Sequence, residues 1–180
     1  PHQARMSMQR PNAGLRRVSA GPTPNAGYRA ALDQQVSAKV MEQQPDAADG
    51  RARADLLARL QALADAVCTN YPGARLQAFG SSVSGLGSNG ADLDLSLVLP
   101  GDADIPDAAQ RAMVSELAEK LEASGQYSSV FARPKARVPI VALHDAATGL
   151  KSDICMCNRL ALLNSRLLRC YMELDPRAPA

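Results

Sequence analysis

The chain has 180 residues, 46% of them hydrophobic but only 3% aromatic and none of them Trp, which bounds it to one domain of ordinary size with an aliphatic core. Twenty Lys and Arg against 18 Asp and Glu leave a net charge of +2, too small to point to any partner class. No apolar run approaches the roughly 18 residues of a membrane helix, and four Cys at 68, 155, 157 and 170 match neither a disulfide framework nor a paired C-x-x-C zinc site, so a reducing compartment is the plain reading.

Residues 1–27 hold Pro, Gly, Asn and Arg without periodicity and read as a disordered basic arm. Five Arg and no acid occur in residues 1–32, so every carboxylate side chain lies later. Such an arm has the composition of a transit peptide; a basic linker is the simpler reading. A weak helical pattern (Leu32, Val36, Val40) runs from Tyr28 to about Gln44 and breaks at Pro45-Asp46. A clearer helix follows, with Leu56, Leu60, Leu63 and Val67 at helical spacing, closed by Tyr71-Pro72-Gly73.

"ARLQAFG" reads as a short strand, and "SSVSGLG" as a loop opening a short helix. "ADLDLSLVLP" alternates with period two: Leu93, Leu95, Leu97 and Leu99 on one face, Asp92, Asp94 and Ser96 on the other. Pro106 opens a helix with Met113, Leu117 and Leu121 inward, ending near Gly125. "YSSVFARP" and "RVPIVALHD" are further strands, "AATG" is a turn, and "LKSDICMC" is a strand with Asp153, Cys155 and Cys157 on one face. A last helix runs from about Arg159 to Leu174, with Leu167, Leu168 and Tyr171 assigned to the core. The order implies an α/β (α+β) domain over residues 28–180, a mixed sheet flanked by helices.

Asp92 and Asp94 share one strand face, about 7 Å apart. If the strand of Asp153 is a neighbour, three carboxylates converge and repel one another, raising their pKa values. A divalent cation relieves that repulsion. Hard oxygen ligands on an open site suit Mg²⁺, or Mn²⁺, which completes its shell with water and substrate phosphate. Gly80 lets backbone approach a ligand closely, and N–H groups at a helix start attract phosphate, with the Ser81 hydroxyl adding a donor. A phosphate cradle beside a metal site is the equipment for phosphoryl or nucleotidyl transfer by two metals.

The stretch "FGSSVSGLGSNGADLDLSLVL" resembles the signature of the DNA polymerase β-like nucleotidyltransferases: Gly-Ser, about ten residues, then Asp-x-Asp. With "RVPIV" and "DICMCNRLALLNSRLLRCYMELDPR" behind it, the chain is similar over roughly residues 50–180 to the terminal uridylyltransferases and cytoplasmic-type poly(A) polymerases. Asp153, Leu160, Ala161, Asn164, Leu167, Leu168, Tyr171, Asp175 and Arg177 fall in register with that family's pattern.

The resemblance implies a polymerase β-like fold in which Asp92, Asp94 and Asp153 are the metal-binding catalytic triad. Gly80 and Ser81 would contact the triphosphate, and Asn164 and Ser165 the ribose. The implied reaction is untemplated addition of UMP or AMP, from UTP or ATP, to an RNA 3′ end. Ala91 and Ser165 stand where the family usually has Ser and Thr. Family members continue past "DPR" into a helical second domain that this sequence lacks, so a catalytic-domain fragment or truncated form is expected. The expected setting is cytoplasmic, with mitochondrial or nuclear as alternatives, and without a membrane. The competing class is a non-catalytic binding or scaffold module on the same fold. His144 reads as a loop residue, and Arg133, Lys135 and Arg137 as a basic strand edge that guards against pairing or meets RNA phosphate.

Overall fold

A computed structural model describes residues 25–102 and 105–174. Contacts divide the chain into two units, Pro1–Val36 and Ser37–Ala180. In the first, the described residues form the opening of helix α1 (Ala26–Gln43). The Asn25 side-chain oxygen caps it, accepting from the Tyr28 N–H at 2.7 Å. Tyr28, Leu32 and Val36 are all exposed. The predicted arm falls outside the described residues over 1–24, and its last two residues, Ala26 and Gly27, belong to α1.

In the second unit, helix α2 (Ala47–Val67) starts at Asp46, whose carboxylate accepts from the Asp49 N–H at 2.8 Å. Leu56, Leu60, Ala64 and Val67 recur at helical spacing and are buried. Strand β1 (Arg75–Phe79) leads through a one-turn helix α3 (Ser81–Ser84) to β2 (Leu93–Val98). A 3₁₀ turn at Pro100–Asp102 precedes α4 (Asp107–Ser124), which ends where Gly125 takes a left-handed φ of 66°. Strands β3 (Tyr127–Arg133), β4 (Ile140–Asp145) and β5 (Lys151–Met156) follow, then α5 (Arg159–Leu174).

The sheet order is β1-β2-β5-β4-β3, with β2 and β5 parallel at its centre and every other pair antiparallel. The mixed sheet flanked by helices is thus present. Leu95, Leu97, Val141, Leu143 and Ile154 project from one face into a core completed by Leu56 and Leu60 of α2 and Val114, Leu117 and Leu121 of α4. Each fully buried leucine contributes about 1.5–3 kcal/mol through burial. On the opposite face α5 packs against β1 and β2, burying Leu162 and Ser165.

Four expectations are corrected. β4 begins at Ile140, not Arg137, because Pro139 has no N–H to give a ladder. His144 therefore lies within β4, paired with Lys151, rather than in a loop. Cys157 leaves β5 with a φ of 50°, so it does not continue the face of Asp153 and Cys155. Leu167, Leu168 and Tyr171 are exposed, together with Leu160, Leu163 and Leu174. Helical spacing marks an apolar stripe on α5 but does not say what covers it.

Candidate active site

β2 and β5 run parallel with Asp94 opposite Asp153. In a parallel ladder, opposed residues project to the same side, so the two carboxylates are neighbours on the face away from the core. The Ser152 hydroxyl locks this register by donating to the Leu93 carbonyl at 2.7 Å. Asp94 is half-buried; burial first, then the charges of Asp153 and Asp92, hold its carboxyl above the ordinary carboxylate value. Asp153 and Asp92 are exposed, and Asp92 stands one residue before β2 begins.

The same face carries Phe79, opposite Asp94 on β1, and next to it Gly80. Gly80 adopts φ 73° and ψ −150°, a combination essentially reserved for glycine. A Cβ there would overlap the Asp94 carboxylate. The turn and the aspartate thus occupy one site only because residue 80 has no side chain. α3 starts immediately after it, with the Ser84 N–H donating to the Gly80 carbonyl at 3.1 Å. The N–H groups of Ser81 and Ser82 open this turn and have no carbonyl four residues back within it. Gly87 packs against the Ser81 carbonyl, where a Cβ would come within 2.9 Å.

The residues assigned to nucleotide by resemblance separate into two kinds. Asn164 is exposed on α5. Ser165 is buried, and both roles of its hydroxyl are filled inside the protein: it accepts from the Gly80 N–H at 2.8 Å and donates to the Ala161 carbonyl at 2.7 Å. It supports the glycine turn from behind.

Among the described residues, no three His, Cys, Asp or Glu side chains are gathered closely enough to form a ready cation site. Asp94 and Asp153 form the assembled pair, and their chemistry (hard oxygens, mutual repulsion, partial burial) fits a divalent cation. Burial pushes the Cys68 thiol to about 11 and raises Cys155, which disfavours the thiolate form that would ligate a metal at these two positions. A cleft of about 440 Å³ at the far end of β5, lined by Arg111, Lys135, Arg137 and Asn158 among others, lies away from the aspartates.

A family model described as "Poly(A) RNA polymerase, mitochondrial-like, central palm domain" matches residues 32–173. The chain belongs to this palm-domain family. Human terminal uridylyltransferase 7 is 35% identical over 108 residues, 60% of this chain and 7% of its own. The Drosophila melanogaster mitochondrial poly(A) RNA polymerase is 31% identical over 148 residues, 69% of this chain and 24% of its own. The chain thus spans under a quarter of the length of these relatives. Among solved structures, an mtPAP N472D mutant in complex with ATPγS superposes with a TM-score of 0.70 at 26% identity, covering 82% of this chain and 34% of that one. Cid1 in complex with the UTP analogue UMPNPP gives 0.67 at 25% identity, covering 84% of this chain and 44% of that one.

Sequence reasoning passed over Asp49 and Arg53 of α2. An acid four residues before an Arg is a common surface pairing on helices. Here the pair is nearly buried, at 5% and 14% side-chain exposure, and it grips the palm-domain backbone just before Asp92. Only the folded chain shows it, through the bonds of Asp49 to the Gly90 N–H and of Arg53 to the Ala91 carbonyl.

Proposed function

We propose that this chain is the catalytic palm of an RNA 3′-terminal nucleotidyltransferase. It would add UMP or AMP, from UTP or ATP, without a template. The observation that carries this reading is the pairing of Asp94 with Asp153 on one sheet face, with the Gly80 turn against Asp94. In the transfer, the primer 3′ oxygen bonds to the α-phosphorus while the bond to the β-phosphate bridging oxygen breaks and pyrophosphate leaves.

Asp92, Asp94 and Asp153 would hold Mg²⁺ or Mn²⁺. Bound there as a pair, such ions supply Lewis-acid activation of the 3′-hydroxyl and neutralise charge on the triphosphate. The chain's own residues have distinct tasks. Asp153, the more exposed of the strand pair, would take the hydroxyl proton as general base. The open N–H groups of Ser81 and Ser82 and the Ser81 hydroxyl orient triphosphate oxygens. Gly80 keeps the turn within reach of Asp94. Asn164 faces solvent on α5, available to a ribose.

Activity would further require a helical second domain, and the exposed apolar stripe on α5 supports this by offering it a seat. We infer a cytoplasmic setting, with mitochondrial or nuclear as alternatives; none of the four Cys lies in a disulfide. Among the described residues no helix is long and apolar enough to cross a membrane.

The test is extension of a labelled single-stranded RNA with Mg²⁺ and each NTP separately, first with this chain and then with the chain joined to a second domain. A ladder with UTP or ATP that Asp94→Ala abolishes is the expected result. No ladder from either form, with both folded, would favour the non-catalytic module instead.

A further inference from the structure

Asp92 is the one member of the acidic trio outside a regular element. It follows a turn in which the Ala91 N–H donates to the Ser88 carbonyl at 3.1 Å and Gly90 takes a φ of 70°. Its side chain is exposed. Something other than the sheet ladder must fix the direction in which it projects.

Asp49 and Arg53, one helical turn apart at the start of α2, grip that turn from both sides. Arg53 Nε donates to Asp49 Oδ2 at 2.6 Å. One terminal nitrogen of the same guanidinium donates to the Ala91 carbonyl at 2.5 Å, and the other reaches the Asp92 carbonyl at 3.5 Å. The second Asp49 oxygen accepts from the Gly90 N–H at 3.2 Å. Two side chains thus bond three successive residues, at one donor and two acceptors. The guanidinium suits this use because its donors lie in a rigid plane, so anchoring one edge to Asp49 aims the other at the turn.

The electrostatics agree. Burial pushes the Asp49 carboxyl up, but the Arg53 bond and charge and the Gly90 N–H outweigh it and leave it below the ordinary carboxylate value. Buried ion pairs are weak contributors to stability once desolvation is counted. α2 is already anchored by Leu56, Leu60, Ala64 and Val67.

We propose that Asp49 and Arg53 are positioning residues for Asp92, fixing the backbone from which it meets the divalent ion beside Asp94 and Asp153. This rests on the reading of those aspartates as cation ligands. Groups that orient metal ligands at one remove typically change affinity about 10–100-fold when lost.

The experiment is an electron paramagnetic resonance titration of the 180-residue chain with Mn²⁺ alone, with thermal melting of each variant. Arg53→Met, which keeps much of the side-chain length without the charge, is expected to weaken Mn²⁺ binding about tenfold. Arg53→Lys should recover part of that loss. Arg59→Met breaks a different ion pair of the same helix, to Asp145, and should lower the melting temperature while leaving Mn²⁺ affinity unchanged. A folded Arg53→Met with wild-type affinity overturns the proposal. So does an Arg59→Met loss of affinity as large as that of Arg53→Met, which would show a general loosening of α2. If Asp94→Asn leaves Mn²⁺ binding intact, or the unaltered chain binds none, the cation site itself is misread and the positioning role falls with it.

Discussion

The Gly80 N–H donates to the Ser165 hydroxyl at 2.8 Å, tying the glycine turn to a helix 85 residues later. The same hydroxyl donates to the Ala161 carbonyl, so its place is fixed by its own helix. Ser165→Ala leaves the part-buried Gly80 N–H without its protein partner, a loss of about 1 kcal/mol. Urea denaturation should show a lower midpoint with an unchanged slope. Thr, which keeps the hydroxyl, should retain most of the stability. An Ala variant as stable as the parent would mean that the turn is held by other means.

Gly80→Ala tests the other side of the same turn. Forcing a side chain into this backbone region costs about 1–3 kcal/mol. The added methyl also meets the Asp94 carboxylate, so the aspartate must turn away. Stability and Mn²⁺ affinity should therefore fall together. Gly149→Ala, also at positive φ (74°) but with open space around its Cβ, should lose stability alone. Equal losses of Mn²⁺ affinity in both would contradict the contact with Asp94.

Asp94 gives a pH prediction whose sign is opposite to that of most aspartates. Its folded-state pKa lies above its unfolded value, through burial and the charges of Asp153 and Asp92. The folded state then holds its proton longer, and stability falls as pH rises through the window between the two values. Ionised Asp94 is a burden at neutral pH. Asp94→Asn should melt higher than the parent at pH 7, and the gain should vanish below the ordinary carboxylate range. Mg²⁺ should narrow the difference by stabilising the parent alone. An Asn variant that melts lower at pH 7 would show that the carboxylate is satisfied without a cation.

How much of this was legible beforehand differs between elements for physical reasons. The sheet core was readable because Leu93, Leu95, Leu97 and Leu99 alternate, and a strand buried on one face must alternate. Asp94 and Asp153 could be nominated as neighbours but not paired, since register is set by contacts distant in sequence, such as Ser152 to the Leu93 carbonyl. The end of β5 was misjudged by one residue because Cys157 takes a left-handed conformation that side-chain pattern does not encode. Leu167, Leu168 and Tyr171 have the composition of a core stripe, yet 52%, 44% and 59% of each is exposed, because periodicity identifies a face and not its partner. The Asp49–Arg53 clip was invisible because its targets are backbone atoms, which every sequence supplies.

The exposed stripe on α5 allows a prediction that separates it from the true core. Leu163, Leu167 and Tyr171 are more than half exposed, whereas Leu95 is fully buried. Leu95→Ala should cost about 2–5 kcal/mol through lost burial and a residual cavity. Leu163→Ser, Leu167→Ser and Tyr171→Ser should each change the stability of this chain by no more than about 0.5 kcal/mol. They should also reduce its tendency to associate, since a contiguous apolar patch drives self-contact. Joined to a helical second domain, the same three substitutions should become destabilising by roughly the area each side chain then buries, about 25 cal/mol per Å². Denaturation of both forms, with light scattering to follow association, measures all of this. If the substitutions are costly in the isolated chain, α5 packs its apolar stripe inward after all. If they are neutral in both forms, that stripe is not where the second domain sits.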